Sequence, residues 1–76
     1  MQYIMTLQDL PLRQMGEIVS LSEEHQKAIY QEFGASVGMT VMILHKAVDW
    51  LVQIGYSQVD MGSKYLQHIK VKPITL

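Results

Sequence analysis

The stretch WLVQIGYSQVDM, residues 50–61, predicts a β-hairpin. Its two extended runs lie on either side of Gly55-Tyr56-Ser57, where glycine and serine favour a tight turn over a continuous strand. Short apolar runs separated by turn residues are typical of antiparallel strands. We therefore expect residues 50–54 and 58–61 to pair with each other.

Five glycines divide the whole chain into similarly short segments. They are Gly16, Gly34, Gly38, Gly55 and Gly62. Residues that permit a positive φ mark places where a chain turns sharply, so this spacing is typical of a small, tightly wound β-barrel. We predict a mainly β fold, a small barrel of about five short strands with one α-helix between the first and second strands.

Only one stretch is long enough to form that helix. Ser20-Leu21-Ser22-Glu23 has the pattern of a capping box, which predicts a helix start at this point. Gly34 is placed to end the helix in the left-handed conformation. The stripe expected to cover one side of the barrel repeats at steps of three and four residues and consists of Leu21, His25, Ala28, Ile29 and Phe33.

The remaining segments predict the other strands. The content of β-branched side chains in residues 16–21 predicts a first strand. Residues 40–46 are apolar on both faces, which is typical of a central strand. Residues 63–68 suit a single 3₁₀ turn before a closing strand at residues 69–72, which Pro73 ends.

The N-terminal residues 1–12 predict an extended lead-in segment, because Pro11 pushes its predecessor away from helical geometry. We expect its three leucines, Leu7, Leu10 and Leu12, to pack against the barrel.

Composition describes a single folded domain over residues 1–76. Hydrophobic residues make up 49% of the chain against 17% charged, and no cysteine is present to form a disulfide or a thiolate metal site. The net charge is −1, with no cationic cluster of the kind that binds nucleic acid. The chain has no apolar run long enough to cross a bilayer and no signal-peptide pattern. We expect a cytoplasmic protein without direct membrane insertion.

No residue pattern predicts catalysis, a cofactor or a metal site. The serines lie outside any nucleophile elbow, and a phosphate-binding loop is absent, since Gly34 and Gly38 are followed by no lysine in the required place. His25, His45 and His68 lack metal-ligand spacing, so ordinary surface or half-buried histidines are expected. The six methionines are scattered and read as adaptable core packing.

Three aromatic residues have two readings. Trp50, Tyr56 and Tyr65 could form a patch that grips a peptide or stacks on a base, because such rings supply large contact areas. They could equally fill the core, and for Trp50, which follows Asp49 at a turn, the two readings are evenly balanced.

Short motifs along the chain resemble the FeoA family, small partners of the bacterial ferrous iron transporter. The segments at residues 6–11 and 16–21 resemble the family's opening, and Phe33-Gly34-Ala35 its helix-ending corner. Residues 37–41, the Gly55-Tyr56 turn, Val59 with Met61, and residues 69–71 then follow in the family's order.

The sequence also departs from the family pattern. Val37 replaces the usual proline, residues 47–50 lack the family's Gly-Asp-Pro, and Gly62 stands where an arginine is common. The changes at residues 47–50 and at Gly62 adjoin the hairpin, so this chain could use Trp50 for transporter contacts that its relatives make with other residues.

The resemblance implies an SH3-like barrel that binds another protein and is not an enzyme. Its implied partner is the cytoplasmic, GTP-hydrolysing part of a FeoB-type transporter, and an exposed sheet edge also permits weak homo-oligomers. Our expected partner interface comprises Lys46, Asp49, Trp50 and Tyr56. Two other functions remain open: a metal-sensing regulatory domain that binds a transition metal, and a small-barrel nucleic-acid binder.

Overall fold

Six antiparallel strands form one continuous sheet in the computed structural model, which describes residues 3–75. The strands are β1 (Met5–Thr6), β2 (Met15–Leu21), β3 (Thr40–His45), β4 (Trp50–Ile54), β5 (Ser57–Met61) and β6 (Ile69–Pro73). Their order across the sheet is β1-β6-β2-β3-β4-β5. The predicted mainly β fold is confirmed, with β3 in the interior of the sheet as expected for a strand that is apolar on both faces.

The sixth strand comes from the lead-in segment, whose first two residues lie outside the described residues. Met5 and Thr6 pair with Val71 and Lys70 of β6, so the helix follows the second strand rather than the first. Two residues carry too little β pattern to be recognised, and this pairing depends on a strand more than 60 positions away.

Helix α1 (Gln26–Phe33) begins later than predicted, so the prediction of a capping box at residues 20–23 is wrong. Ser20 and Leu21 instead continue β2, opposite Lys70 and Ile69 of β6. Ladder hydrogen bonds therefore prevail over the local cap. A turn that follows Leu21 brings the chain to the helix, with the His25 N–H donating to the Ser22 carbonyl at 3.0 Å.

The helix end and the last three members of the predicted stripe are confirmed, whereas Leu21 lies in β2 and His25 immediately before the helix. Ile29 is fully buried, while Ala28 and Phe33 are half-buried on the same stripe. Gly34 ends the helix at φ 70°, and its N–H donates to the Tyr30 carbonyl at 2.8 Å.

The predicted hairpin is formed by β4 and β5. A two-residue turn of Gly55 and Tyr56 joins them, and Ile54 lies opposite Ser57. Gly55 has φ 59°, a conformation that side-chain-bearing residues rarely adopt.

The core lies on the inner face of this sheet and is closed by α1, by the segment with Leu7 and Leu10, and by Leu66. Its fully or almost fully buried hydrophobic side chains are Leu7, Leu10, Ile18, Ile29, Ala35, Val41, Ile43, Val52, Ile54, Met61, Leu66, Ile69 and Val71. Leu12 is 51% exposed, so its predicted burial is wrong. It lies in the turn at residues 12–13, where the chain reverses to enter β2.

A second short helix, α2 (Ser63–Leu66), replaces the 3₁₀ turn predicted at residues 63–68. Both of its ends carry i to i+3 hydrogen bonds of the 3₁₀ type, from the Tyr65 N–H to the Gly62 carbonyl at 3.1 Å and from the His68 N–H to the Tyr65 carbonyl at 3.0 Å. Neither α1 nor α2 is long and apolar enough to cross a membrane, and residues 3–75 contain no other α-helix.

Two irregular points bend the sheet. The β2–β6 register shifts between Ile18 and Ser20, and the β3–β4 register shifts between Ile43 and His45. Such bulges increase the local twist and bend the strand that carries them. They allow one sheet to curve around the small core.

Replacing Gly34 with alanine should lower the free energy of unfolding by about 1 kcal/mol, because a left-handed conformation is unfavourable for any residue with a Cβ. Apart from the adjoining backbone, no heavy atom lies within 4 Å of a Cβ placed there, so the loss would be conformational rather than steric. Gly62→Ala is the matched control, since Gly62 has φ −70° and its Cβ would meet Asp49 Oδ1 at an ordinary 3.6 Å. Equal losses for both variants in urea unfolding would contradict this account.

Candidate interaction surface

The outer face of the sheet carries a row of half-buried side chains. Met15 lies opposite Met42, and Met42 lies opposite Gln53, so the three cross β2, β3 and β4 in line. Their neighbours in sequence, such as Val41 and Ile43, point into the core. This row therefore faces away from the core.

Two adjoining clefts run along this row. One, of about 220 Å³, is lined by Met15, Thr40, Val41, Met42, Gln53 and Gly55. The other, of about 270 Å³, is lined by Arg13, Gln14, Met15, Met42, Ile74 and Thr75. Met15 and Met42 line both clefts, so the two lie next to each other, and we call them together the methionine groove.

The turn before β2 forms one end of the methionine groove. Arg13 adopts φ 65°, and it is the single residue other than glycine with a positive φ in residues 3–75. Its N–H donates to the Ile43 carbonyl at 2.9 Å. The Gln14 side chain donates to the Ile74 carbonyl at 2.8 Å, which ties the turn to the chain beyond β6.

Three of the four predicted interface residues lie together at one end of the hairpin. Lys46 Nζ lies 4.8 Å from the centre of the Trp50 ring, and Asp49 is exposed beside Gly62. Trp50 is half-buried and packs against the core, as the core-filling reading expects, and its role in binding a partner stays a prediction.

Tyr56, the fourth predicted interface residue, lies at the other end of the hairpin. It is fully exposed in the turn between β4 and β5. The four strand residues 51–54 and Gly55 separate it from Trp50, a distance of roughly 15 Å. The four predicted interface residues therefore lie in two separate places, one at each end of the hairpin, rather than in one site.

The outer strand of the hairpin, β5, ends the sheet. It pairs with β4 on one side, and no further strand of residues 3–75 lies beyond it. In a hairpin closed by a two-residue turn, alternate residues direct their backbone groups outward, and here these are Gln58 and Asp60. This edge can accept an added strand.

Two histidines that are far apart in sequence are stacked. The His25 and His68 rings lie 3.8 Å apart with planes 13° from parallel, and Ser22 Oγ lies 3.4 Å from His25 Nδ1. Ring nitrogens coordinate in the plane of the ring, so near-parallel rings do not direct their lone pairs at one ion. The stack joins the start of α1 to the turn before β6.

The other titratable groups are dispersed. No three His, Asp or Glu side chains among residues 3–75 are grouped as metal ligands. His45 is exposed at the end of β3 and is not part of the stacked pair.

The methionine groove was missed from the sequence because methionine is an ordinary core residue. The signal that could have found it lies in β3, where Val41 and Ile43 already fill the inner face. Met42 must then face outward, and an apolar outward position in the middle of a sheet is a candidate contact surface.

Comparison with known proteins identifies the fold. No protein-family model matches the sequence, and no curated protein has significant sequence similarity to it. Among solved structures, an iron uptake regulatory protein FeoA superimposes with a TM-score of 0.80 at 14% identity, covering 95% of this chain and 99% of that one. FeoA from Stenotrophomonas maltophilia, complexed with zinc, matches with a TM-score of 0.72 at 24% identity, covering 88% of each chain.

The S. maltophilia protein is described as a prokaryotic SH3 domain protein and a candidate activating factor for ferrous iron transport. The SH3-like fold and the resemblance to FeoA, both read from the sequence, are confirmed by these superpositions at the level of the fold. A manganese-dependent transcriptional repressor also matches, with a TM-score of 0.82 at 19% identity. This chain covers only 44% of that repressor.

The histidine stack should contribute a measurable coupling energy to stability. We expect a double-mutant cycle of His25→Ala and His68→Ala to give about 0.5–1.5 kcal/mol, the range for stacked aromatic pairs. The control cycle pairs His45→Ala with His68→Ala and should give additive losses. A coupling near zero in the first cycle, measured by urea unfolding at a fixed pH, would contradict this expectation.

Proposed function

We propose that this chain is a member of the FeoA family and an accessory protein of a ferrous iron uptake system. The observation that supports this most directly is the superposition on FeoA, which covers almost the whole of both chains. A match that leaves no large part of either protein unaligned favours a shared role more than a match to one segment of a longer protein does.

The proposed action is binding rather than catalysis. The contact that most resembles a catalytic pair joins Ser22 and His25, but at 3.4 Å it is long for activation of a hydroxyl. His25 is held by stacking on His68 rather than oriented by a carboxylate. What the fold offers instead is an open edge at β5, the exposed Tyr56 ring and the half-buried methionines of the groove.

The proposed partner is the cytoplasmic part of a FeoB-type ferrous iron transporter, which places the protein in the cytoplasm. The hairpin supplies contacts suited to a protein surface, because Tyr56 is fully exposed and Trp50 is held by Lys46 with part of its ring outward. Trp and Tyr are among the residues that most often dominate the binding energy of an interface.

A metal-responsive regulatory domain is the second candidate. The superposition on the manganese-dependent repressor favours it, since the TM-score of 0.82 is as high as those for FeoA. Under this proposal the chain would report metal availability to a larger regulator rather than to a transporter.

Binding to the purified cytoplasmic part of the FeoB-type transporter from the same genome tests the first proposal. We expect saturable binding of the natural chain and a loss of about tenfold or more in affinity for Trp50→Ala and for Tyr56→Ala. Tyr30→Ala is the matched control, because Tyr30 is also exposed, at 62%, but lies on α1. The melting temperature of each variant shows whether a loss of binding comes from a lost contact or from a loss of folding. This control matters more for Trp50→Ala, because Trp50 packs against the core and Tyr56 is exposed.

Calorimetric titration with ferrous, manganous and zinc ions separates the two candidates. Micromolar metal binding by a chain that fails to bind the transporter would support the regulatory domain and contradict the accessory protein. If both Trp50→Ala and Tyr56→Ala bind the transporter as the natural chain does, the accessory role is still supported. The hairpin is then excluded as the interface.

A further inference from the structure

We propose that the methionine groove receives an extended peptide segment of the protein partner, one that carries a carboxylate next to apolar side chains, with Arg13 binding the carboxylate. This inference rests on the function proposed above, since it takes the partner to be a protein. It adds a second contact surface and the chemistry of the segment that fits there.

The floor of the methionine groove is suited to apolar side chains of variable shape. Met15 and Met42 are half-buried neighbours on two paired strands, and each lines both clefts. Methionine is flexible and polarisable, and surfaces rich in it adapt to different apolar partners. Ile74 extends the apolar lining at the end where Arg13 lies.

Arg13 is held at the end of this floor by an unusual backbone. A left-handed conformation is unfavourable for a residue with a Cβ, so such residues persist only where the surroundings fix them. Here the Arg13 N–H donates to Ile43, and the Gln14 N–H donates to the Pro11 carbonyl at 3.1 Å. These bonds hold the backbone of a cationic residue beside the groove, although a glycine would fit the turn with less strain.

The charges around the methionine groove favour an acidic occupant. Lys72 and Glu17, which face each other on β6 and β2, pair at 4.0 Å. That is the single ion pair formed between residues 3–75, so Arg13 faces the groove without a carboxylate partner among them. A guanidinium binds a carboxylate through two parallel hydrogen bonds, which gives both strength and orientation.

The size of the groove favours an extended segment of a few residues. Met15 and Gln53 are separated by two strand spacings, about 10 Å, which an extended chain spans in about three residues. The segment would therefore place an acidic residue at Arg13 and apolar side chains over Met15 and Met42, within one short stretch.

Charge and floor variants measured against the transporter's purified cytoplasmic part test this inference. We expect Arg13→Gln to weaken binding about tenfold and Arg13→Glu more strongly, because the second also repels the carboxylate. Met42→Gln should weaken binding about tenfold by placing an amide on the floor. Lys27→Glu is the matched charge reversal on α1 and should change affinity less than twofold. Arg13→Gln and Arg13→Glu keep a Cβ at the left-handed position, and melting temperatures confirm folding of each variant.

The outcomes separate this inference from the function on which it rests. If the natural chain does not bind the transporter, both are overturned. If it binds and the Arg13 and Met42 variants bind equally well, the groove is not the contact surface and only the inference fails. Sedimentation could instead show that the natural chain is a dimer and that the Arg13→Glu variant is a monomer with unchanged transporter binding. In that case the groove is occupied by a second copy of the chain, and the partner peptide is excluded.

Discussion

The ladder between β2 and β6 is the interaction on which the rest of the structure depends. It joins residues about fifty positions apart, aligning Ile18 with Val71 and Leu21 with Ile69, three of which are fully buried. On its other side β6 pairs with β1, so the last strand lies between the first two. Without β6 the sheet would lose β1, and the His68 carbonyl that accepts from Ser22 would lose its position at the start of α1.

This ladder also explains where sequence reasoning succeeded and where it failed. The β4–β5 hairpin and the end of α1 at Gly34 follow from residues that are adjacent in the chain, and both are confirmed. The helix start failed because pairing of Ser20 with Lys70 overrides a local cap. The short β1 was invisible for the same reason, since its pairing partner is at the other end of the chain.

The candidate surfaces divide in the same way. Exposed residues next to a turn, such as Tyr56 and Asp49, can be read from the sequence because turns are local. The methionine groove requires Met15 and Met42 to be aligned across two strands, and it requires Arg13 to be carried to their edge by a turn whose N–H binds Ile43. Neither the alignment nor that hydrogen bond can be deduced from residue type, because both depend on the register of β2 against β3.

The position of β6 has a consequence for biosynthesis. A sheet whose central pairing needs the last strand cannot close while residues 69–73 are still inside the ribosome, so the nascent chain must wait with β2 unpaired on one side. During that interval the apolar residues of β2 and β3 are open to other chains. A trailing extension that delays release of β6 would lengthen this exposure, whereas one placed before β1 would not.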